Sequence, residues 1–434
     1  MDSATAQALQ NAISDEEIIE LEMNLIRIPS YTTEETELGK FIVRYLQSEG
    51  IAAELQEVPL PKLAEGKSER KVSHNVIGVL PGNGTGPSLM FNGHMDHGPW
   101  DVRGRVVDAF SEWQRSPFEP TIEEGRIYGK AAQDEKGGIC GMLAAAVAIK
   151  RAGIKPKGDI YLCPVMGHKT HSVGTKYMME VGPHADYGIN TENSGNWIVP
   201  AHIGIVSARV HIHGADARMR YRLPETMDKT TGFMNAFRFV EALGKEGVRH
   251  PNAGWTSFNP HSVLSEWPDH RIDFIDKVSF DHIVVGLILK TVPGMDEETY
   301  RLDLKRVLNT LERKHSDFIG GEVETEVWGP PLDTPFNSPV VQALSSAYLS
   351  VTGEKPRVGI EGRFSAYGCG SVMAAKGIET CIFGPGGQAV PGGEEAAETR
   401  QARRGDLPPD EYISIRELVA SARTMALAAV NLSC

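Results

Sequence analysis

The chain has 434 residues, 41% hydrophobic and 23% charged, the proportions of a globular protein long enough for two domains. Asp and Glu number 57 against 44 Lys and Arg, a net charge of −13, so a basic footprint for nucleic acid or an anionic membrane is absent. Five cysteines without a C-x-x-C pair point to reduced thiols in a cytoplasmic protein, the first residues lack the pattern of a signal peptide, and no apolar run reaches the roughly 18 residues a membrane helix needs.

In chain order, Ser14-Asp-Glu-Glu17 is a capping box that predicts a helix to about Ile28, ended by Pro29. Residues 36–49 are an amphipathic helix, 51–58 alternate as a strand, and 61–71 are a polar loop. Residues 75–80 and 89–91 are strands separated by a Gly/Pro turn, and 98–125 is a long excursion of the kind that shapes a site. A small-residue helix at 137–153 lies before buried strands at 159–165 and 187–191. Strand and helix alternate, which predicts an α/β fold: a mostly parallel sheet flanked by helices. The pattern changes near residue 202. Strands at 205–213, 284–291 and 322–327 and helices at 230–245 and 296–315 mark a second unit inserted at 206–320 that looks like β-α-β-β-α-β with one strand left unassigned, in a domain made of 1–205 and 321–434. A helix at 340–351, strands at 361–365 and 380–383, a charged loop at 392–404 and a long helix at 413–432 complete the chain.

The chemistry-bearing stretch is Phe91-Asn-Gly-His-Met-Asp-His97. It sets His94 and Asp96 at or just past a strand's C-terminal end, where open α/β sheets bind ligands. An imidazole and a carboxylate two residues apart can divide one task. The ring binds a metal, and the acid, directly or through the ring, fixes and charges the site. Asp134, in a Gly-flanked loop before a helix, is well placed as a further ligand. Taken singly, each residue fits a surface histidine or a helix-capping aspartate better; the balance turns to a metal with the motifs that follow.

His94-Met-Asp96, then Trp113 with Pro117-Phe118, Gly125-Arg-Ile-Tyr-Gly129, Asp134-Glu-Lys-Gly-Gly138, Cys381-Ile-Phe-Gly-Pro-Gly386 and Pro409-Asp-Glu-Tyr412 occur in that order. The series resembles the zinc-dependent exopeptidases and amidohydrolases that include acetylornithine deacetylase, succinyl-diaminopimelate desuccinylase and the aminoacylases. That resemblance implies two metal positions bridged by one Asp, and a lid domain that forms a homodimer. It makes His94 a first-site ligand, Asp134 the bridging ligand, Glu192 the first-site acid and Asp96 the acid that orients His94. The other half departs from the family. His168 stands in the place of the general-base Glu and Lys169 in that of a second-site ligand. Leu407 replaces the last His ligand, Arg218 replaces the lid's oxyanion-stabilising His, and Lys290 stands where an Arg often ends the third lid strand.

These residues predict one divalent ion per chain, Zn²⁺ or Mn²⁺, on His94, Asp134 and Glu192 with a position left open for substrate. Beside an ammonium, a second dication would be repelled. Lys169 can stand in for it and neutralise Asp134, or simply face solvent. His168, or His171 after a small shift of the loop, can move a proton. Arg218 can offset negative charge or, with Arg220 and Arg222, clamp a substrate carboxylate; a solvated basic loop is the plain alternative. The expected activity is metal-dependent hydrolysis of a C–N bond in a small, anionic amide or amine. The alternatives are a hydrolytic deaminase of a non-peptide or aromatic amine, such as a nitroanthranilate, and a non-catalytic binding protein on the same fold. A small-molecule substrate and a homodimer are expected, with no nucleic-acid or membrane partner.

Overall fold

The computed structural model describes residues 3–60, 72–98, 113–213, 238–239, 241–242, 248–250, 254–256, 271–276, 282–291, 296–315, 318, 320–359, 368–386 and 410–433. The chain divides into two compact units. The first is Met1–Ala201 with Leu332–Glu361 and Gly368–Cys434, and the second contains His202–Pro331.

The first unit is a mixed α/β layer structure. Its six-stranded sheet runs in the order Ala52–Pro59, Val72–Leu80, Ile160–Val165, Leu89–His94, Tyr187–Asn190, Glu379–Ile382. The last four strands are parallel and the first two are joined antiparallel. Side chains alternate across a strand, and the two faces separate accordingly. Leu89, Phe91, Ile160 and Leu162 enter a large core beneath the long helices, whereas Met90, Cys163 and Val165 enter a smaller one with Met178, Cys369 and Met373. The helix Gly137–Arg151 is buried on every side from Gly137 to Ile149, which its Ala- and Gly-rich sequence permits. It packs against Ile415–Ser433 and Asp15–Ile26. The Ser14 capping box forms with Glu17 as the spacing requires.

Residue 413 belongs not to the closing helix but to a strand, Tyr412–Ser414, paired with Arg126–Tyr128. Burial of Tyr412 and Ile413 against that partner outweighs the helical pattern, and the helix starts at Ile415. The excursion after Gly98 contains a hairpin, Thr121–Glu123 with Arg126–Tyr128, turned at Gly125. The regions expected as loops at 61–71 and 392–404, as a strand at 361–365, and most of the helix expected at 230–245 lie outside the described residues.

The second unit carries a four-stranded antiparallel sheet, ordered Arg271–Asp276, His282–Thr291, Gly204–His213, Gly321–Gly329. Asp296 caps the helix Glu297–Lys314 through the Thr299 amide. Its Tyr300, Leu304, Val307, Leu308 and Leu311, at three- and four-residue spacing, pack with Val206, Ala208, Val210 and Ile212. Among the described residues no helix is long and apolar enough to cross a membrane.

Candidate metal centre

Three adjacent parallel strands carry the site. The strand Leu89–His94 runs in register with Ile160–Val165 on one side, His94 opposite Val165, and with Tyr187–Asn190 on the other, Asn92 opposite Asn190. His94 is the last residue of its strand, Glu192 follows the end of the second neighbour by two residues, and His168 follows the end of the first by three. Parallel register therefore sets these three residues side by side at one edge, and Asp134 joins them from the turn before the Gly137 helix.

His94 is fully buried. Its Nε2 lies 2.9 Å from Asp134 Oδ1 and 3.8 Å from Glu192 Oε2. All three atoms are buried without a hydrogen-bond partner; even the short contact is misaligned for one. Donor atoms around one ion with bonds of about 2.1 Å sit roughly 3–3.5 Å apart, which these two distances bracket. One imidazole and two carboxylates suit Zn²⁺ or Mn²⁺, so this donor set fits a divalent ion. The ligand atoms of His94, His168 and Glu192 also lie within 4.8 Å of one another. Yet the two imidazoles are stacked, centroids 4.4 Å apart and planes 10° apart. An imidazole donates through a lone pair in its own plane, so two rings stacked this way do not aim at one ion.

Charge in the cluster is tightly coupled. Burial lowers the proton affinity of His94, but Glu135, Asp134 and Glu192 outweigh it and raise its pKa to about 10. Burial raises Glu135, which Glu192 lifts further, to well above the carboxylate range, and burial likewise raises Glu192. At Asp134 burial is overcome by Lys169 and His94, which hold the acid well below its usual value. The groups around His94 thus favour positive charge at its Nε2 edge. Lys169 supplies one cation: its Nζ lies 3.1 Å from Asp134 Oδ2, on the carboxylate's other oxygen.

Asp96 divides its groups between two tasks. Its backbone carbonyl lies 3.0 Å from His94 Nδ1, with Oδ1 farther away at 3.5 Å. Its carboxylate accepts the backbone amides of His168 (2.8 Å) and Lys169 (3.0 Å) and the Thr32 hydroxyl (3.0 Å). Orientation of His94 therefore comes chiefly from the main chain, and the Asp96 side chain fixes the following turn. In that turn His168 Nδ1 lies 3.2 Å from Ser172 Oγ and 3.3 Å from Cys369 Sγ. Burial, then the charges on His94 and Lys169, press the pKa of His168 well down. His171 ends the turn, part-buried and with a left-handed backbone. Arg218, Arg220, Arg222 and Leu407 lie outside the described residues, as does the side chain of Lys290.

Supporting residues that motif reading passed over complete the site. Glu135 accepts the His94 amide at 3.1 Å and the Thr191 hydroxyl at 2.7 Å. Gly93 makes room for it, since a Cβ there would stand 2.7 Å from Glu135 Oε1. Glu411 receives the Lys130 ammonium and the amides of Ala131, Gln133 and Asp134, and so shapes the turn that presents Asp134. Both acids lie inside the quoted motifs, where their presence was the signal. Glu35, which accepts the Gly167 amide from 132 residues away, had none.

Fold and donor set together are those of a metal-dependent hydrolase. The chain belongs to peptidase family M20/M25/M40, whose model matches residues 90–431. It is 24% identical over 345 residues to N-formyl-4-amino-5-aminomethyl-2-methylpyrimidine deformylase of Halalkalibacterium halodurans, covering 72% of this chain and 75% of that one. It is 26% identical over 244 residues to a probable succinyl-diaminopimelate desuccinylase of Staphylococcus aureus, 55% of this chain and 56% of that one. Among solved structures, aminopeptidase PepT from Bacillus cereus shares the fold with a TM-score of 0.67 at 19% identity, over 96% of this chain and 99% of that one. The YXEP protein of Bacillus subtilis, a dinuclear metal-binding peptidase of the M20 family, does so at 0.60 and 15%, over 99% of each chain.

Proposed function

We propose that the protein hydrolyses the C–N bond of a small acylated amine, using one divalent ion per chain held by His94, Asp134 and Glu192. The observation that carries this reading is the convergence of three buried, hydrogen-bond-free donor atoms beside a fixed ammonium. When bound, a divalent ion supplies polarisation of a substrate oxygen and acidification of water.

The chain's own residues divide the remaining work. Lys169 neutralises Asp134 in the place that the family resemblance gives to a second-site ligand. His168, held in the turn whose amides Asp96 accepts, moves the proton, first from water and then to the leaving nitrogen. Asp96 holds the turn that carries both. An anionic substrate and a homodimeric lid rest on Arg218 and on the family likeness. The deformylase and desuccinylase relatives, both named for removing an acyl group, the first from an N-formyl compound, support an N-acyl substrate. A second reading, hydrolytic deamination of an aromatic amine, is favoured by the imidazole at the family's general-base position.

One screen tests both readings. Metal-stripped protein is reloaded with Mn²⁺ or Zn²⁺ and offered N-formyl, N-acetyl and N-succinyl amines beside aryl amines. Turnover of acyl amines that rises with metal content supports the first reading; release of ammonia from aryl amines alone replaces it with the second. A protein that takes up no metal, or is inert on both sets when loaded, refutes them and leaves a binding protein.

A further inference from the structure

Three consecutive backbone amides, at Gly167, His168 and Lys169, donate to two buried carboxyl groups. Asp96 takes the last two, and Glu35 Oε1 takes the first at 3.0 Å. Glu35 is itself anchored. Its Oε1 also accepts from the Thr33 amide at 2.9 Å, and its Oε2 accepts the Ser73 hydroxyl at 2.7 Å. The side chain is fully buried. The turn it grips needs holding, because Gly167, His171 and Ser172 all have left-handed backbone, with φ of 67°, 61° and 54°. For the two non-glycine residues that conformation persists only where the surroundings impose it.

We propose that Glu35 is a positioning residue for the reaction: by holding the Gly167 amide it sets the turn that stands His168 against His94 and Lys169 against Asp134. The inference rests on the hydrolase reading above. Glu35 acts through reach and an acceptor oxygen, not through contact with substrate. Reach and the acidic group are separable. Glu35→Gln keeps the reach and an acceptor, Glu35→Asp keeps the carboxyl group but is one methylene shorter, and Glu35→Ala keeps neither.

The test uses the full chain loaded with Mn²⁺. Deuterium exchange is followed in the peptide covering 166–172, alongside kcat, KM and Mn²⁺ affinity. In the Asp and Ala variants, exchange at the three amides accelerates about tenfold or more. Their kcat falls about tenfold or more, while KM and Mn²⁺ affinity stay within about threefold, because the groups to be positioned move but the metal donors do not. Glu35→Gln matches the parent in every measurement. Should Glu35→Ala fail to fold, the Asp and Gln pair decides. Unchanged exchange in Glu35→Asp overturns the inference. So does faster exchange with undiminished kcat, or a Gln variant as impaired as Asp. A parent protein that binds Mn²⁺ but cleaves no amide refutes the hydrolase reading and this role with it, while the exchange pattern still reports whether Glu35 holds the turn.

Discussion

Asp134 lies between two nitrogen partners: its Oδ1 is 2.9 Å from His94 Nε2, and its Oδ2 is 3.1 Å from Lys169 Nζ. In a dinuclear site, a bridging carboxylate gives one oxygen to each ion. Here an ammonium takes one side, and the proposed single ion per chain rests on that contact.

The first prediction is stoichiometric. The loaded protein contains one ion per chain by plasma emission, and His94→Ala loses most of it because the donor set's one imidazole is gone. Two ions per chain at full occupancy would sink the one-metal reading.

The second concerns Lys169. Lys169→Ala leaves Asp134 without its cation and lowers kcat by roughly tenfold to a hundredfold, the range expected when a preorganised charge is removed. Lys169→Glu is worse, since it adds an acid beside Asp134 and Glu192. Steady-state kinetics check both, and an undiminished Lys169→Ala makes the lysine a bystander.

The third is a pH dependence of stability. Burial, reinforced by Lys136, presses the pKa of His97 down to about 2. Its Nε2 accepts the Ser30 amide and its Nδ1 reaches Gly98 O, so the folded ring has no place for a second proton. The unfolded ring takes that proton below about pH 6.5. Stability from this group is complete above that pH and is lost as pH falls toward 2, by about 1.4 kcal/mol per unit. Urea unfolding from pH 7 to pH 5 shows the loss in the parent, and His97→Gln shows a shallower slope. Parallel curves contradict the assignment.

The fourth tests the space at Gly93. Gly93→Ala drives a methyl into Glu135 and Thr191, costing about 1–3 kcal/mol of stability and weakening metal binding as the Glu135 bond to the His94 amide is displaced. Thermal melting and metal titration read the two effects, and a variant that melts with the parent and binds metal equally well defeats the prediction.

The fifth concerns assembly. As a proposed homodimer, the protein sediments as a dimer at micromolar concentration, and mixed Arg218→Ala and His94→Ala chains regain activity if the arginine serves its partner. A monomer by sedimentation ends this proposal.

Much of the site was legible in the sequence because its chemistry lies in short motifs. His94 and Asp96 could be found from spacing at a strand end, Asp134 from a Gly-flanked loop before a helix, and Glu192 and the departures at 168 and 169 from family likeness. What the sequence hid was contact across distance. Glu35 meets Gly167 through the fold alone, and no local pattern marks an acid whose partner is a backbone amide. The stacking of His94 on His168 was hidden for the same reason, since it follows from the register of two parallel strands. The start of the last helix was misplaced at 413 because Ile413 satisfies a helical period equally well, and its sheet partner, Ile127, is remote in sequence.

Glu411 shapes the turn of Asp134 from 277 residues farther along the chain. On the ribosome, that turn is therefore unsupported while the residues between are being made, and its support arrives only with residue 411. Assembly of the candidate site is an event of late synthesis, and a nascent chain stopped before that point carries His94, Asp134 and Glu192 without the brace that sets Asp134 among them.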